Sequence, residues 1–200
     1  MLGKSVGKQD EYAAVFGGLN FITFNQDSSV EVEPLRLDPD LIHSLQRKLM
    51  LFFTGTAHHS WSILEEQEAS TQSGAALESL HQIKRLAVEM RVALLTGDLN
   101  SFGELLHHGW VNKKNISTRI SNPAIDRMYA SAREKGAKGG KITGAGGGGF
   151  LLLYCDEEHQ PAVRQALAAE GAKEMQFAFD FEGSRVLTDD ELEYSSLPDF

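Results

Sequence analysis

The residues best suited to chemistry form a glycine-rich stretch from Gly139 to Phe150, which reads Gly-Gly-Lys-Ile-Thr-Gly-Ala-Gly-Gly-Gly-Gly-Phe. So many glycines cost backbone entropy on folding and bring no side chains to bury, which favours a close approach of the backbone to a ligand. Successive bare amides can surround an anion, and Lys141 adds a positive charge at the mouth of the stretch. We predict an anion or nucleotide site here; the alternative is an ordinary hairpin loop.

Two common phosphate-binding motifs do not fit this stretch. A Walker A loop needs Gly-Lys followed by Ser or Thr after its spacer, whereas Lys141 precedes the glycines. A dinucleotide fingerprint follows a strand and opens a helix, but this stretch leads into the apolar, strand-like segment 150–154. The predicted site therefore belongs to another class.

The distribution of charge favours a small anionic ligand at this place. The formal net charge of -9 argues against a nucleic-acid partner. Segment 113–141 nevertheless contains eight Lys or Arg against two acids, and it runs directly into the glycines. The alternative for these cations is an ordinary solvated helix face.

Length and composition indicate a globular protein. A chain of 200 residues that is 42% hydrophobic can form one large domain or two small ones. The single cysteine, Cys155, excludes an internal disulfide framework, and we expect a buried thiol there rather than a nucleophile. No stretch approaches the roughly 20 apolar residues of a membrane helix, and no charged-then-apolar leader opens the chain, so we expect a cytoplasmic protein without a membrane partner.

The elements that must position the glycines begin with short helices and strands. The patterns predict, in chain order, a helix over 8–16, strands over 19–24 and 30–35, a helix over 38–45, a strand over 48–53 and a helix over 57–69. The turn Thr54-Gly55-Thr56 lies between a strand and a helix N-terminus, where amides have no internal partners. This turn is a second possible anion contact or a plain connection.

Three amphipathic helices are predicted between a polar break at 70–74 and the glycines. The first has an apolar face from Leu77 to Leu94 and is stopped by Gly97. The second is capped by Asn100, and its inward residues are Phe102, Leu105, Leu106 and Trp110. The third is opened by Asn122-Pro123 and stopped by Gly136, and its inward residues are Ile125, Met128, Tyr129 and Ala132.

A strand over 150–154, a helix over 161–170 and an alternating strand over 175–181 are predicted after the glycines. This order implies an α+β sandwich with helices on one side of an antiparallel sheet. No metal site is predicted, because the pairs His58-His59 and His107-His108 are adjacent residues that point to different faces of a helix. We interpret them as surface or capping histidines.

Two segments resemble the GHMP kinases, the family that includes galactokinase, homoserine kinase, mevalonate kinase and phosphomevalonate kinase. Segment 141–150 is similar to the family's third, C-terminal motif, a glycine loop that lies against the nucleotide phosphates and the phosphoryl acceptor. The resemblance implies phosphate-binding roles for Lys141, Thr143, Gly144, Ala145, Gly146, Gly147, Gly148 and Gly149.

The second segment, residues 7–18, resembles the part of sugar-type members whose aspartate is the catalytic base, which implies that role for Asp10. Many relatives have Gln at the position of Glu11, a difference that leaves Asp10 unaffected. An aspartate is ionised at neutral pH and can accept a proton. Without the resemblance, an aspartate near a helix start is more simply interpreted as an N-cap.

Within the family, segments 7–18, 52–55 and 180–186 look most like the branch that phosphorylates the anomeric hydroxyl of D-glycero-D-manno-heptose 7-phosphate. The resemblance runs along essentially the whole chain and implies a transferase of carbohydrate metabolism, a sugar-phosphate kinase that uses ATP and Mg²⁺. Phosphoryl transfer needs an aligned acceptor hydroxyl, a proton acceptor and groups that offset the phosphate charge. Asp10 and the glycines supply residue types that suit the last two requirements.

The resemblance also implies a division of the chain. Residues 1–72 would be the end of the N-terminal domain with the catalytic aspartate, and residues 73–200 the C-terminal domain, a ferredoxin-like α/β sandwich. The family's N-terminal substrate motif and its Ser-rich glycine loop have no counterpart in this sequence. We therefore expect the C-terminal portion of a kinase: an expressed fragment, a truncated gene or half of a split enzyme.

This expectation has a structural corollary. The hairpin over 19–35 and the strand over 48–53 would belong to a sheet whose other strands lie in the absent part, leaving an unpaired edge. The chain would then rearrange, self-associate or bind its missing half. Two other hypotheses stay open: a non-catalytic module that binds a sugar phosphate, and a purely structural remnant.

Overall fold

The computed structural model describes residues 7–55 and 60–186. The contacts within the chain divide it into two compact units. The larger contains Arg36–Ala178, and the smaller contains Lys8–Leu35 together with the chain from Phe179 onward.

Seven helices and six strands lie in the described part of the chain. They are α1 (Lys8–Phe16), β1 (Asn20–Phe24), β2 (Val30–Pro34), α2 (Pro39–Lys48), β3 (Leu49–Phe53), α3 (Ser60–Gln72), α4 (Leu77–Thr96), α5 (Leu99–Lys114), α6 (Pro123–Glu134), β4 (Ala137–Ile142), β5 (Phe150–Cys155), α7 (Gln160–Ala169) and β6 (Lys173–Met175). The predicted elements occur in the predicted order, but β4, the strand before the glycine loop, was not predicted. None of these helices is both long and apolar enough to cross a membrane.

The smaller unit is built on an antiparallel hairpin. Strands β1 and β2 pair along their whole lengths. The turn between them is held by the Asp27 carboxylate, which accepts hydrogen bonds from the Ser29 amide at 3.0 Å and the Ser29 hydroxyl at 2.6 Å. The Gly18 amide donates to the Asp180 carbonyl at 2.5 Å, which places the segment after Phe179 in this unit.

The larger unit contains a four-stranded sheet in the order β4-β5-β3-β6, antiparallel at each junction. Helices α3 to α6 connect β3 to β4, a glycine loop connects β4 to β5, and α7 connects β5 to β6. This is the strand order of a ferredoxin-like βαββαβ arrangement. The predicted α+β sandwich is confirmed.

Strand β3 corrects one of our expectations. It lies inside this sheet, between β5 and β6, so the prediction that segment 48–53 pairs with strands absent from this chain was wrong. The reason is burial: Met50 and Phe52 face the same core as Leu151 and Leu153 of β5. Accordingly, residues 36–72 share a compact unit with the following residues, and the contacts do not divide the chain at residue 72.

The core lies between one face of this sheet and helices α6 and α7. It contains the predicted inward residues of α6 together with Val163 and Leu167 of α7. Burying each such side chain contributes about 1.5–3 kcal/mol. On the opposite face, the alternate residues Leu49, Leu51 and Phe53 of β3 are only half-buried.

Helix α5 lies very close to β4, and glycines make this possible. A Cβ on Gly139 would lie 2.1 Å from the Gly103 carbonyl oxygen and 2.7 Å from the His107 amide nitrogen. A Cβ on Gly103 would lie 2.5 Å from the Tyr154 ring. The glycine-rich stretch is therefore not one continuous loop: residues 139–142 are part of β4, and Gly139 is a packing residue.

Two helix starts test the predicted caps. Helix α6 is capped by Asn122 as predicted, with the side-chain oxygen of Asn122 accepting from the amides of Ala124 and Ile125, both at 3.0 Å. Helix α5 is instead capped by Asp98, whose carboxylate accepts from the Ser101 amide at 3.0 Å. Asn100 is not the cap because it already lies in the first turn.

The prediction of a strand over 175–181 was wrong except at its first residue, Met175. Strand β6 ends at Met175 and pairs with β3 over only three residues. Phe179 and Phe181 belong to the smaller unit, so the chain leaves the sheet before the alternating pattern ends.

The two edge strands of the sheet, β4 and β6, are protected against pairing with another strand in different ways. The guanidinium of Arg133 donates to the Ala137 carbonyl at 2.9 Å and also to the Lys138 carbonyl, so two acceptors of the edge strand β4 are occupied. The other edge strand, β6, is three residues long.

Candidate anion-binding site

The glycine loop, defined here as residues 144–149, connects β4 to β5 in the larger unit. Its neck is closed by Thr143, whose amide and hydroxyl both donate to the Phe150 carbonyl, at 2.9 and 3.3 Å. The five glycines of the loop have φ between 67° and 159°. Residues with side chains rarely adopt such values, so the backbone path itself requires glycine.

Four residues from the surrounding structure hold carbonyl oxygens of the loop. Lys113 Nζ donates to the Gly144 carbonyl at 2.5 Å, and Gln67 Nε2 donates to the Ala145 carbonyl at 3.3 Å. Asn122 Nδ2 donates to the Gly147 carbonyl at 3.3 Å. The Thr54 amide and Oγ1 both donate to the Gly149 carbonyl, at 2.9 and 3.0 Å. We call Thr54, Gln67, Lys113 and Asn122 the carbonyl-holding residues.

The loop amides are in a different situation. Within the described part of the chain, the Gly147 amide is the one loop amide that meets an acceptor, donating to the Ile120 carbonyl at 2.8 Å. No described residue accepts a hydrogen bond from the amides of Gly144, Ala145, Gly146, Gly148 or Gly149. Gly148 is buried, and a buried amide without an acceptor is uncommon in native proteins. The loop therefore offers donors but few acceptors, which suits an anion.

The support behind the loop is itself anchored. The Glu66 carboxylate of α3 accepts from the amide and hydroxyl of Thr118, both at 2.9 Å, and forms an ion pair with Arg119 at 3.0 Å. The Thr118 hydroxyl bond holds the pKa of Glu66 below its ordinary value. This attachment fixes segment 118–120, whose last residue accepts from the loop.

The start of α6 lies beside the loop but is not an anion site itself. The side chain and carbonyl of Asn122 accept the amides of Ala124, Ile125 and Asp126. Asp126 also places a carboxylate in the first turn, where it binds Lys114 at 3.0 Å. The donors available to a ligand are therefore those of the glycine loop.

The structure separates the residues predicted for the site. Thr143 to Gly149 form one continuous connection, whereas Lys141, predicted at the mouth of the stretch, lies in β4 and is half-buried. Asp10 is exposed on α1 and belongs to the smaller unit. Thr54 holds the loop through Gly149, while Thr56, the other threonine of the predicted second anion contact, lies outside the described residues.

The remaining predicted residues have structural environments. Cys155 is fully buried, and burial raises the pKa of its thiol to about 11, which confirms an unreactive cysteine. His107 is not a surface histidine as predicted: it is half-buried, and its Nδ1 lies 2.9 Å from the Tyr129 hydroxyl. The pair at 58–59 lies outside the described residues. The described residues contain no group of three or more His, Cys, Asp or Glu that could hold a metal ion.

Sequence reasoning missed two of the carbonyl-holding residues. Lys113 was noticed only as part of the basic segment, and nothing in the sequence pattern marked Gln67. Asn122 was identified as a cap and Thr54 as part of a possible anion contact, but neither was predicted to hold the loop.

Comparison with known proteins agrees with this architecture. Residues 90–173 match the family model described as GHMP kinases C terminal. The chain is 35% identical to D-glycero-alpha-D-manno-heptose 7-phosphate kinase of Campylobacter jejuni over 91% of its length, and it spans 54% of that protein. It is 26% identical to the bifunctional fucokinase/GDP-fucose pyrophosphorylase of Arabidopsis thaliana over 84% of its length, which is 16% of that protein.

A solved structure is similar over the same range. The D-glycero-D-manno-heptose 1-phosphate kinase from Bacteroides thetaiotaomicron matches with a TM-score of 0.66 and 30% identity, over 94% of this chain and 51% of that one. The fold and loop thus define an α+β domain of the kind found in sugar kinases. More particularly, the match of residues 90–173 is to the C-terminal domain of the GHMP kinases.

Proposed function

We propose that this chain acts in phosphoryl transfer from ATP to a sugar hydroxyl, with the glycine loop binding phosphate oxygens. The observation that carries this proposal is the difference between the two kinds of backbone group in the loop. Four of its carbonyls accept hydrogen bonds from protein donors, whereas five of its amides have no described acceptor. Amides fixed in this way stabilise charge on a transferred phosphoryl group. The similarity to proteins named as sugar kinases supports the same activity.

The acceptor we propose is the anomeric hydroxyl of D-glycero-D-manno-heptose 7-phosphate. Two observations support it: the 35% identity to a heptose 7-phosphate kinase, and the similarity to a solved structure named as a heptose 1-phosphate kinase. The similarity to a fucokinase is lower, at 26% identity.

Asp10 is the proposed base. As the sugar oxygen forms its bond to the γ-phosphorus, the bond from phosphorus to ADP breaks and the hydroxyl proton passes to the Asp10 carboxylate. Helix α1 begins at Lys8, so Asp10 lies within the first turn and is not the helix N-cap. The interpretation of Asp10 as a simple cap therefore loses its support.

Lys141 and Thr143 are proposed neighbours of the transferred phosphate. The Thr143 hydroxyl bonds to the loop neck at 3.3 Å, a weak geometry that a phosphate oxygen could replace. Mg²⁺ bound to ATP would offset phosphate charge. Among the described residues, no group of three or more His, Cys, Asp or Glu side chains could bind this ion, so we assign no protein ligand to it. We place the reaction in the cytoplasm, where ATP and sugar phosphates are available.

The test is ADP release from ATP, Mg²⁺ and heptose 7-phosphate, with Asp10→Asn as the matched control. Because the chain spans 54% of the Campylobacter kinase, the assay is run alone and with the N-terminal half of that relative as a separate chain. Turnover should fall about 10²- to 10⁴-fold in Asp10→Asn. Protection from thermal unfolding by heptose 7-phosphate without ADP release in either format would instead support a non-catalytic binding module.

A further inference from the structure

We propose that the carbonyl-holding residues are positioning residues that set the direction of the loop amides, and that Asn122 couples this arrangement to helix α6. The proposal rests on the proposed function, because it assigns to these side chains the task of presenting the amides to phosphate. None of the four needs to touch the ligand.

The geometry of the peptide bond carries the argument. In a planar trans peptide, the carbonyl of one residue and the amide of the next point in opposite directions. Holding the carbonyls of Gly144, Ala145 and Gly147 therefore directs the amides of Ala145, Gly146 and Gly148 away from the holding side chains. These three amides are among those without a described acceptor.

The one reversed peptide follows the same rule. Between Gly146 and Gly147, the amide is the group that is held, since Gly147 donates to the Ile120 carbonyl at 2.8 Å. A Cβ on Gly146 would lie 2.9 Å from that same carbonyl oxygen, so the backbones are in close contact there. Each of the four peptide bonds between residues 144 and 148 is thus held through its carbonyl or its amide. Within this segment, the three amides of Ala145, Gly146 and Gly148 remain to donate to a ligand.

The fastening points come from four different places in the larger unit. Thr54 follows β3, Gln67 lies in α3, Lys113 lies in the last turn of α5, and Asn122 precedes α6. Glycine alone would leave the loop many conformations, and ordering it on ligand binding would cost entropy. Side chains that hold the peptides beforehand reduce that cost.

Asn122 offers the sharpest test because its amide group has two tasks. Its Oδ1 caps α6, accepting from Ala124 and Ile125 at 3.0 Å, while its Nδ2 donates to Gly147 at 3.3 Å. Serine is as good an N-cap as asparagine and is also uncharged, but it has no side-chain amide to donate a hydrogen bond. Asn122→Ser therefore keeps the cap and removes the loop bond.

The experiment titrates inorganic triphosphate into the 200-residue chain by calorimetry and compares wild type with Asn122→Ser. Loss of one hydrogen bond to the loop should weaken triphosphate binding about fivefold while the melting temperature stays nearly constant. Thr54→Val should have a smaller effect, because the Thr54 amide still holds Gly149. Asp98→Asn, which changes the cap of α5 and keeps a capping oxygen, should bind as wild type does.

Hydrogen exchange gives a second readout that needs no ligand. In Asn122→Ser the Gly147 amide should exchange several-fold faster than in wild type, because the loop around its bond to Ile120 is loosened. Unchanged exchange together with wild-type affinity in Asn122→Ser would overturn the positioning role and leave the proposed function intact. A wild-type chain that binds no triphosphate at millimolar concentration would overturn the proposed function itself.

Discussion

The glycine-rich stretch contains two regions that look alike in sequence and differ in structure. Gly139 is flanked by backbone at distances that leave no room for a Cβ. Gly144 and Gly149 have open space around the same position, with nothing within 4 Å, but adopt φ of 67° and 84°. The first region needs glycine because a helix packs against it, and the second because of its backbone path.

This difference teaches that a run of glycines has no single meaning. Packing glycines are explained by their neighbours, and a substitution there should affect stability. Loop glycines are explained by φ and by the amides that remain available, and a substitution there should weaken ligand binding and cost less stability than a substitution at a packing glycine. Mutations can separate the two regions.

The largest expected effect is that of Gly139→Ala. Its Cβ would lie 2.1 Å from a carbonyl oxygen of α5, so the helix must move away from β4. We expect the free energy of unfolding to fall by about 3 kcal/mol, measured by urea denaturation, as for a severely overpacked core. A loss of only about 1–2 kcal/mol would place Gly139 with the loop glycines and break the comparison.

Gly144→Ala should behave in the opposite way. The methyl group meets no atom within 4 Å, so the cost to folding is the left-handed φ alone, about 1–2 kcal/mol. Relieving that strain would turn the neighbouring peptides, and we expect triphosphate affinity to fall about tenfold, a change of about 1.4 kcal/mol in binding free energy. Calorimetric titration beside the Gly139→Ala protein makes the comparison; wild-type affinity in Gly144→Ala would contradict it.

Gly109→Ala serves as a matched control for packing on α5. Gly109 lies in the same helix as Gly103, but a Cβ there would meet nothing within 4 Å. Alanine is favoured over glycine inside a helix by about 0.5–1 kcal/mol, so this variant should be more stable than wild type by that amount. Thermal melting measures the gain; a destabilised variant would show that α5 tolerates no addition on either face.

The smallest expected effect is a pH dependence in the packing region. Burial, with a further contribution from the charge of Arg133, lowers the pKa of His107 in the native state. As pH falls below the ordinary histidine pKa of about 6.5, the unfolded chain takes up this proton before the native protein does, so stability decreases. Melting temperatures from pH 7 to pH 5 should show a shallower slope in His107→Gln. An identical slope would mean that His107 does not contribute.

The sequence predicted the elements well where periodicity and local chemistry decide them. The hairpin, the buried strand 49–53 and the inward face of α6 were all predicted from the spacing of apolar residues. The cap at Asn122 followed from a local asparagine and proline. These features depend on residues close together in the chain.

The errors share one cause, which is dependence on distant residues. Gly139 was grouped with the ligand-approaching glycines because its packing partner, Gly103 of α5, is 36 positions away. The alternation from Met175 to Phe181 resembled a strand, but Met175 is the one residue of it that pairs with β3. Lys113 and Gln67 reach the loop across the fold, and no local pattern marks such contacts.

The position of Arg133 has a consequence for association between chains. The edge of a sheet is a template on which a strand of another molecule can add, and two acceptors of β4 are taken by this guanidinium. At the opposite edge, the three residues of β6 are too few to hold a foreign strand firmly. We therefore expect that replacing Arg133 would increase aggregation at high protein concentration before it changed ligand binding.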